Sequence, residues 1–179
     1  METPASPKQD PSAELQDLYR REISYVVHTL RRLGVKNAEL EDVAHDVFVA
    51  LYRHLGERDP ARPLRPWLFG FCFRIASDHR KLARHRHEVP PLAHEPADPA
   101  PQPDELVAEE RLRRQLLAAL DAMDFEKRSL VVMHDLEGIS VPEIAALLAV
   151  PLNTAYSRLR LARAEFERAL VKITGGSHE

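Results

Sequence analysis

The chain has one cysteine, Cys72, six glycines and a single tryptophan among 179 residues. A lone cysteine excludes an internal disulfide and fits a reducing compartment. In "FGFCFRIA" it reads as a small buried apolar residue. Scarce glycine argues against turn-rich β architecture, and strand-like alternation is hard to find, which points to an all-α protein. No apolar run approaches the ~18–20 residues that span a bilayer, and the opening "METPASPKQDPSAE" has no apolar core, so neither a targeting segment nor membrane insertion is expected. No Gly-rich phosphate loop, Ser/His/Asp set or paired-carboxylate cleft is recognisable, so an enzyme is not expected. His79, His85, His87 and His94 have no cysteine partners nearby and make a poor metal set; no cofactor is expected.

The hydrophobic fraction of 44% is enough for packed cores, and the net charge of −3 is unevenly spread. Residues 13–88 carry 14 basic and 11 acidic side chains, residues 89–110 none and 6, and residues 111–179 carry 10 and 9. Two neutral-to-basic blocks thus flank an acidic connector, "EVPPLAHEPADPAPQPDE", residues 88–105, with prolines at 90, 91, 96, 99, 101 and 103. Such a segment neither forms a helix nor packs a core; it is an extended spacer. The expected organisation is a disordered 1–11, a helical domain over 12–87, the linker 88–105, a helical domain over 106–172 and a short tail 173–179, too short for a further regulatory domain.

Apolar spacing in the first block predicts a helix from about Ser12 to Leu33, with Leu15, Leu18, Tyr19, Ile23, Val26, Val27 and Leu30 inward and Gly34 as its stop. A second runs from about Asn37, a fitting N-cap, to Leu55, with Glu39, Glu41 and Asp42 near its positive end. A third runs from about Pro66 to Arg86, very apolar at first and very basic later; Trp67 belongs to its core side. The second block predicts helices over about 104–122 and 125–136. Next, Ser140 and Glu143 have capping-box spacing, with Pro142 tolerated in the first turn. Ile144, Ala145, Leu147 and Leu148 bury that helix. A turn at Val150–Pro151 leads to a last helix from about Asn153 to Val171.

Two short helices across a tight turn, the second rich in arginine, fit a helix-turn-helix, whose second helix enters the DNA major groove. Ala155, Leu159, Ala162 and Phe166 recur at helical spacing and face the core. Tyr156, Ser157 and Arg160 then face outward for bases, while Asn153, Thr154, Arg158 and Arg163 are placed for phosphates.

At these residues a resemblance enters. "DLEGISVPEIAALLAVPLNTAYSRLRLARAEF" resembles the fourth conserved region of bacterial sigma factors of the extracytoplasmic-function group: Glu137-Gly138-Ile139-Ser140, Glu143-Ile144-Ala145, Pro151-Leu152-Asn153-Thr154 and Ser157-Arg158 stand at its motif positions. "LEDVAHDVFVALYRHL" resembles the second region's polymerase-docking motif, and "PWLFGFCFRIASDHRK" the helix that faces the minus-ten element. The resemblance covers about 13–170. It implies two small helical domains, core RNA polymerase and promoter DNA as partners, and a cytoplasmic protein. It further implies that Asp42, His45 and Asp46 meet the polymerase clamp. Arg74 and Asp78, with the loop 57–65, hold an unstacked base; Arg80, Lys81 and Arg84 track phosphates; Tyr156, Ser157 and Arg160 meet minus-thirty-five bases. An anti-sigma protein is a further implied partner. His45-Asp46 replaces the family's usual Gln-Glu, Arg74 a common Asn, and Tyr156 a common basic residue, departures that bear on which promoter is read. The rival reading is a helix-turn-helix regulator that is not a polymerase subunit.

Overall fold

The computed structural model describes residues 11–85 and 104–175. Among them every regular element is helical: α1 (Pro11–Arg32), α2 (Leu40–His54), α3 (Leu64–His85), α4 (Asp104–Asp121), α5 (Phe125–Val131), α6 (Val141–Leu147) and α7 (Leu152–Gly175). The chain divides into two compact units, residues 1–31 with 35–77, and residues 32–34 with 78–179. Nearly all of the expected disordered start and of the proline-rich linker lie outside the described residues; Pro11, expected in the former, opens α1.

The first unit is built on apolar faces. Val26 and Leu30 of α1, Val43, Val47 and Leu51 of α2, and Leu68, Phe69 and Cys72 of α3 are buried, as the period of each segment requires. Trp67 packs edge-on against Phe71, ring centroids 4.9 Å apart, in keeping with a half-buried core residue. Three expectations shift. Asn37 does not cap α2 with its side chain: it opens a 3-10 turn (Asn37–Glu39) that precedes the helix, and the extended residue before that turn is Lys36. Tyr19 was expected inward but is 45% exposed, its ring lying against Phe48 at 4.7 Å. α3 begins at Leu64, two residues before the expected start, so Pro66 sits in the first turn, where its missing N–H removes no helical bond.

The second unit packs α4, α5 and α6 against α7. The side chain of Asp124 accepts from the Lys127 N–H and caps α5. The predicted 125–136 helix keeps its span but widens into a π-turn, Val132–Leu136, closed by Glu137 N–H donating to the Val132 carbonyl at 3.0 Å. Gly138 comes next, with φ +68°, a left-handed position that suits glycine. Ile144 and Ala145 of α6 are buried, whereas Leu147 and Leu148 are only half-buried. The turn before α7 holds Ala149 at φ +52°, a strained position for a residue with a Cβ. α7 continues four residues past its expected end, with the Thr174 hydroxyl donating to the Leu170 carbonyl at 2.9 Å.

Candidate nucleic-acid and polymerase interfaces

α6, the turn and α7 form the expected helix-turn-helix. The Ser140 N–H and hydroxyl both donate to Glu143 Oε2, at 3.0 and 2.6 Å, so α6 starts at a defined residue. Those two donors hold the Glu143 carboxyl below its ordinary value, a slight desolvation notwithstanding. Ala155 and Ala162 are fully buried and Leu159 nearly so. The small alanines let α7 approach its neighbours closely, and this fixes which face turns outward. On that face Asn153, Tyr156, Ser157, Arg158 and Arg160 are exposed, and Thr154 is half-buried. The Ser157 hydroxyl donates to the Thr154 carbonyl at 3.0 Å, which leaves its lone pairs outward. A shallow hollow of about 720 Å³ runs along this surface, lined by Asn153, Tyr156, Ser157, Arg160 and Arg163.

The arginines are not equivalent. Among the described residues Arg158 and Arg160 have no hydrogen-bond or ion-pair partner. Arg163 is engaged: its Nε lies 3.0 Å from both carboxylate oxygens of Asp135, in the π-turn, and a terminal nitrogen bonds the same group. The carboxylate raises the pKa of the guanidinium, against slight desolvation. Sequence reasoning assigned no role to Asp135. An acid 28 residues before its partner, in a segment predicted as plain helix, carries no pattern that would reveal the pair.

On the opposite flank of α7, Glu165 accepts from the Lys127 ammonium at 2.6 Å. In the same unit Arg128 is buried; its Nε donates to the Leu120 carbonyl at 2.6 Å and a terminal nitrogen to Asp121. Burial pushes the Arg128 pKa down, with Asp121 opposing.

In the first unit Asp42, His45 and Asp46 are exposed together on α2, between the buried positions Val43, Ala44 and Val47. Beside them lies what the sequence reading missed, an apolar groove of about 500 Å³ lined by Leu15, Tyr19, His45, Phe48, Val49 and Tyr52. Its signal was Tyr19 and Tyr52, aromatics too polar to insist on burial. On α3, Arg74 and Asp78 share an exposed face one turn apart, and Asp78 accepts from the Lys81 ammonium at 3.0 Å. Arg80 is half-buried. Arg84 is on α3, but its side chain lies outside the described residues. In the loop before α3, the Asp59 carboxylate accepts from the Ala61 N–H at 2.9 Å. No group of three or more potential metal ligands occurs among the described residues, and none of the described helices is long and apolar enough to cross a membrane.

Two exposed carboxylates beside an apolar groove on one helical unit, and a helix-turn-helix with outward arginines on another, fit a two-module DNA-binding protein. The sigma-70 region 2 family matches residues 18–85 and the sigma-70 region 4 family residues 113–166. SigE, an ECF RNA polymerase sigma factor of Mycolicibacterium smegmatis, is 31% identical over 159 residues, covering 87% of this chain and 61% of SigE. CarQ, an RNA polymerase sigma factor of Myxococcus xanthus, is 32% identical over 151 residues, 83% of each chain. The solved structure of CnrH in complex with the cytosolic domain of CnrY has a TM-score of 0.60 at 25% identity, covering 89% of this chain and 88% of that one. The chain belongs to the extracytoplasmic-function group of the sigma-70 family and is a promoter-directing transcription initiation factor. The rival reading, a regulator that is not a polymerase subunit, has no claim on the region 2 match.

Proposed function

We propose that the two units divide promoter recognition between them. The observation that carries this is the outward face of α7: Tyr156, Ser157 and Arg160 are exposed in its first half while Ala155, Leu159 and Ala162 lock the opposite face. In this reading those three meet base edges of the minus-thirty-five element, Arg160 in the fork geometry suited to guanine. Asn153, Thr154 and Arg158 meet phosphates, helped by the amides at the helix start.

In the first unit, Asp42 and Asp46 pair with a basic surface of the polymerase clamp, His45 sits between them, and the adjoining groove takes apolar side chains of the same partner. On α3, whose residues from 78 onward fall in the second unit, Arg74 and Asp78, with the loop 57–65, hold a base of the separated minus-ten strand; Arg80, Lys81 and Arg84 follow its phosphates. Freeing Asp78 and Lys81 from one another asks little, because exposed ion pairs are worth about 0–1 kcal/mol. Capturing an unstacked base costs a few kcal/mol, roughly what stacking and a positive surface return. The polymerase supplies the catalysis, and the protein works in the cytoplasm.

An anti-sigma protein is the proposed regulator, CnrH being solved with a bound cytosolic domain of another protein. A pulldown from native cells that recovers polymerase and nothing else counts against it. The main test is transcription from genomic fragments with core polymerase, with RNA 5′ ends sequenced. Starts sharing upstream motifs are expected, and Arg160→Ala should relax the upstream one. A folded chain that neither binds polymerase nor yields specific starts overturns the reading.

A further inference from the structure

Arg163 was expected, with Asn153, Thr154 and Arg158, to meet phosphates, but in the structure its guanidinium already holds a carboxylate. It comes one turn after Arg160 along α7, yet its guanidinium fork is filled by Asp135 through both carboxylate oxygens. Planar guanidinium and carboxylate match each other in this way, whereas a lysine would offer only a point charge. A phosphate could take the edge formed by Nε and the bonded terminal nitrogen only by displacing Asp135, leaving a carboxylate uncompensated next to the DNA backbone.

The tie also has a position that matters. Asp135 and Arg163 bracket α6 and the turn into α7, so the pair closes the helix-turn-helix from outside its apolar core. Asp135 is presented by the π-turn, where the Ile139 N–H donates to the Met133 carbonyl at 2.9 Å and the His134 ring nitrogen Nδ1 lies 2.9 Å from the Ile139 carbonyl. One residue more or fewer in a helix rotates the residues beyond it by about 100°, so the wide turn decides where Asp135 points. Glu167, one turn beyond Arg163, and Arg160, nearly one turn before it, line the same hollow.

We infer that Arg163 is a positioning residue for base readout: gripped by Asp135, it sets the pose of α7 in the groove and contacts no phosphate. This rests on the DNA-reading role proposed for α7.

The test uses the full chain with core polymerase and a duplex selected by the wild type from a randomised pool. Affinity is measured against salt for Arg163→Lys, Asp135→Asn and their combination, each with its melting temperature and its binding to an unrelated duplex. Either single change should weaken the selected duplex by roughly tenfold, and the pair together by no more than either, as expected for one shared interaction. The slope of log affinity against log salt should not move, and neither should binding to the unrelated duplex, which a general loss of structure would also impair.

Full affinity in Arg163→Lys, with Asp135→Asn neutral or tighter, overturns the inference, since lysine still serves a phosphate. So does a slope shallower by about 0.9 in Arg163→Gln, the signature of one lost phosphate contact. If the wild-type complex selects no duplex at all, the DNA-reading role fails instead.

Discussion

Both units have apolar cores, but they differ in where their ion pairs run. In the first, the buried residues are almost wholly apolar, and the ion pairs are local ones on exposed surface: Asp17 with Arg21, Asp59 with Arg62. In the second, polar contacts join separate elements: Arg128 with Asp121, Lys127 with Glu165, Arg163 with Asp135. A helix that reads duplex DNA must be held in one pose, because base readout depends on bidentate geometry. A unit that docks on a larger machine and holds a separated strand needs a firm core and available faces, and its partners complete its surface.

Cutting the core of the first unit should give the largest effect. Phe69 is fully buried, and Phe69→Ala should cost about 3–5 kcal/mol. Hydrogen exchange should show lost protection concentrated in α1, α2 and α3 up to residue 77 while α5–α7 stay protected; equal loss in both breaks the distinction between the units. In the second unit, Ser140→Ala removes one side of the capping box and should cost about 1 kcal/mol, read in denaturant melts as a lower midpoint at unchanged slope.

Acid should sharpen the contrast. Burial nudges the Asp124 carboxyl up, but the Lys127 N–H and ammonium outweigh it and hold it below its ordinary 3.8; Glu143 is held below 4.5 by the Ser140 donors. Both groups are depressed in the folded state. Their stabilisation is complete above those ordinary values and is lost as pH falls through the lowered ones. Circular dichroism of the Ser140→Ala protein should therefore show its deficit against wild type shrinking as pH drops below about 4. A deficit that grows at low pH contradicts the assignment. The smallest effect is a gain: Ala149→Gly relieves the φ of +52° and should stabilise the second unit by roughly 0.5–1 kcal/mol, seen as a small rise in melting temperature.

Much of this was legible beforehand, for physical reasons that differ by residue. The buried faces of α2 and α7 come from a 3.6-residue period that leaves no other side for Val43, Val47, Leu51, Ala155, Leu159 and Ala162. The capping box was readable because its partners sit three residues apart. What escaped was non-local or conformational. Asn37 looked like a cap because residue type cannot say that a 3-10 turn comes first. The π-turn has no composition signature, and with it went the Asp135–Arg163 tie. The apolar groove escaped because Tyr19 fits the buried period of α1 as well as it fits an exposed edge.

The most direct test of the division of labour is permanganate reactivity of promoter thymines, measured together with a footprint, for holoenzymes carrying wild-type chain, Arg160→Ala or Arg74→Ala. Arg160→Ala should weaken the upstream footprint and thymine reactivity together. Arg74→Ala should keep the footprint and lose the reactivity. An Arg74→Ala complex that opens the promoter normally, or an Arg160→Ala complex that binds upstream as wild type does, would contradict it.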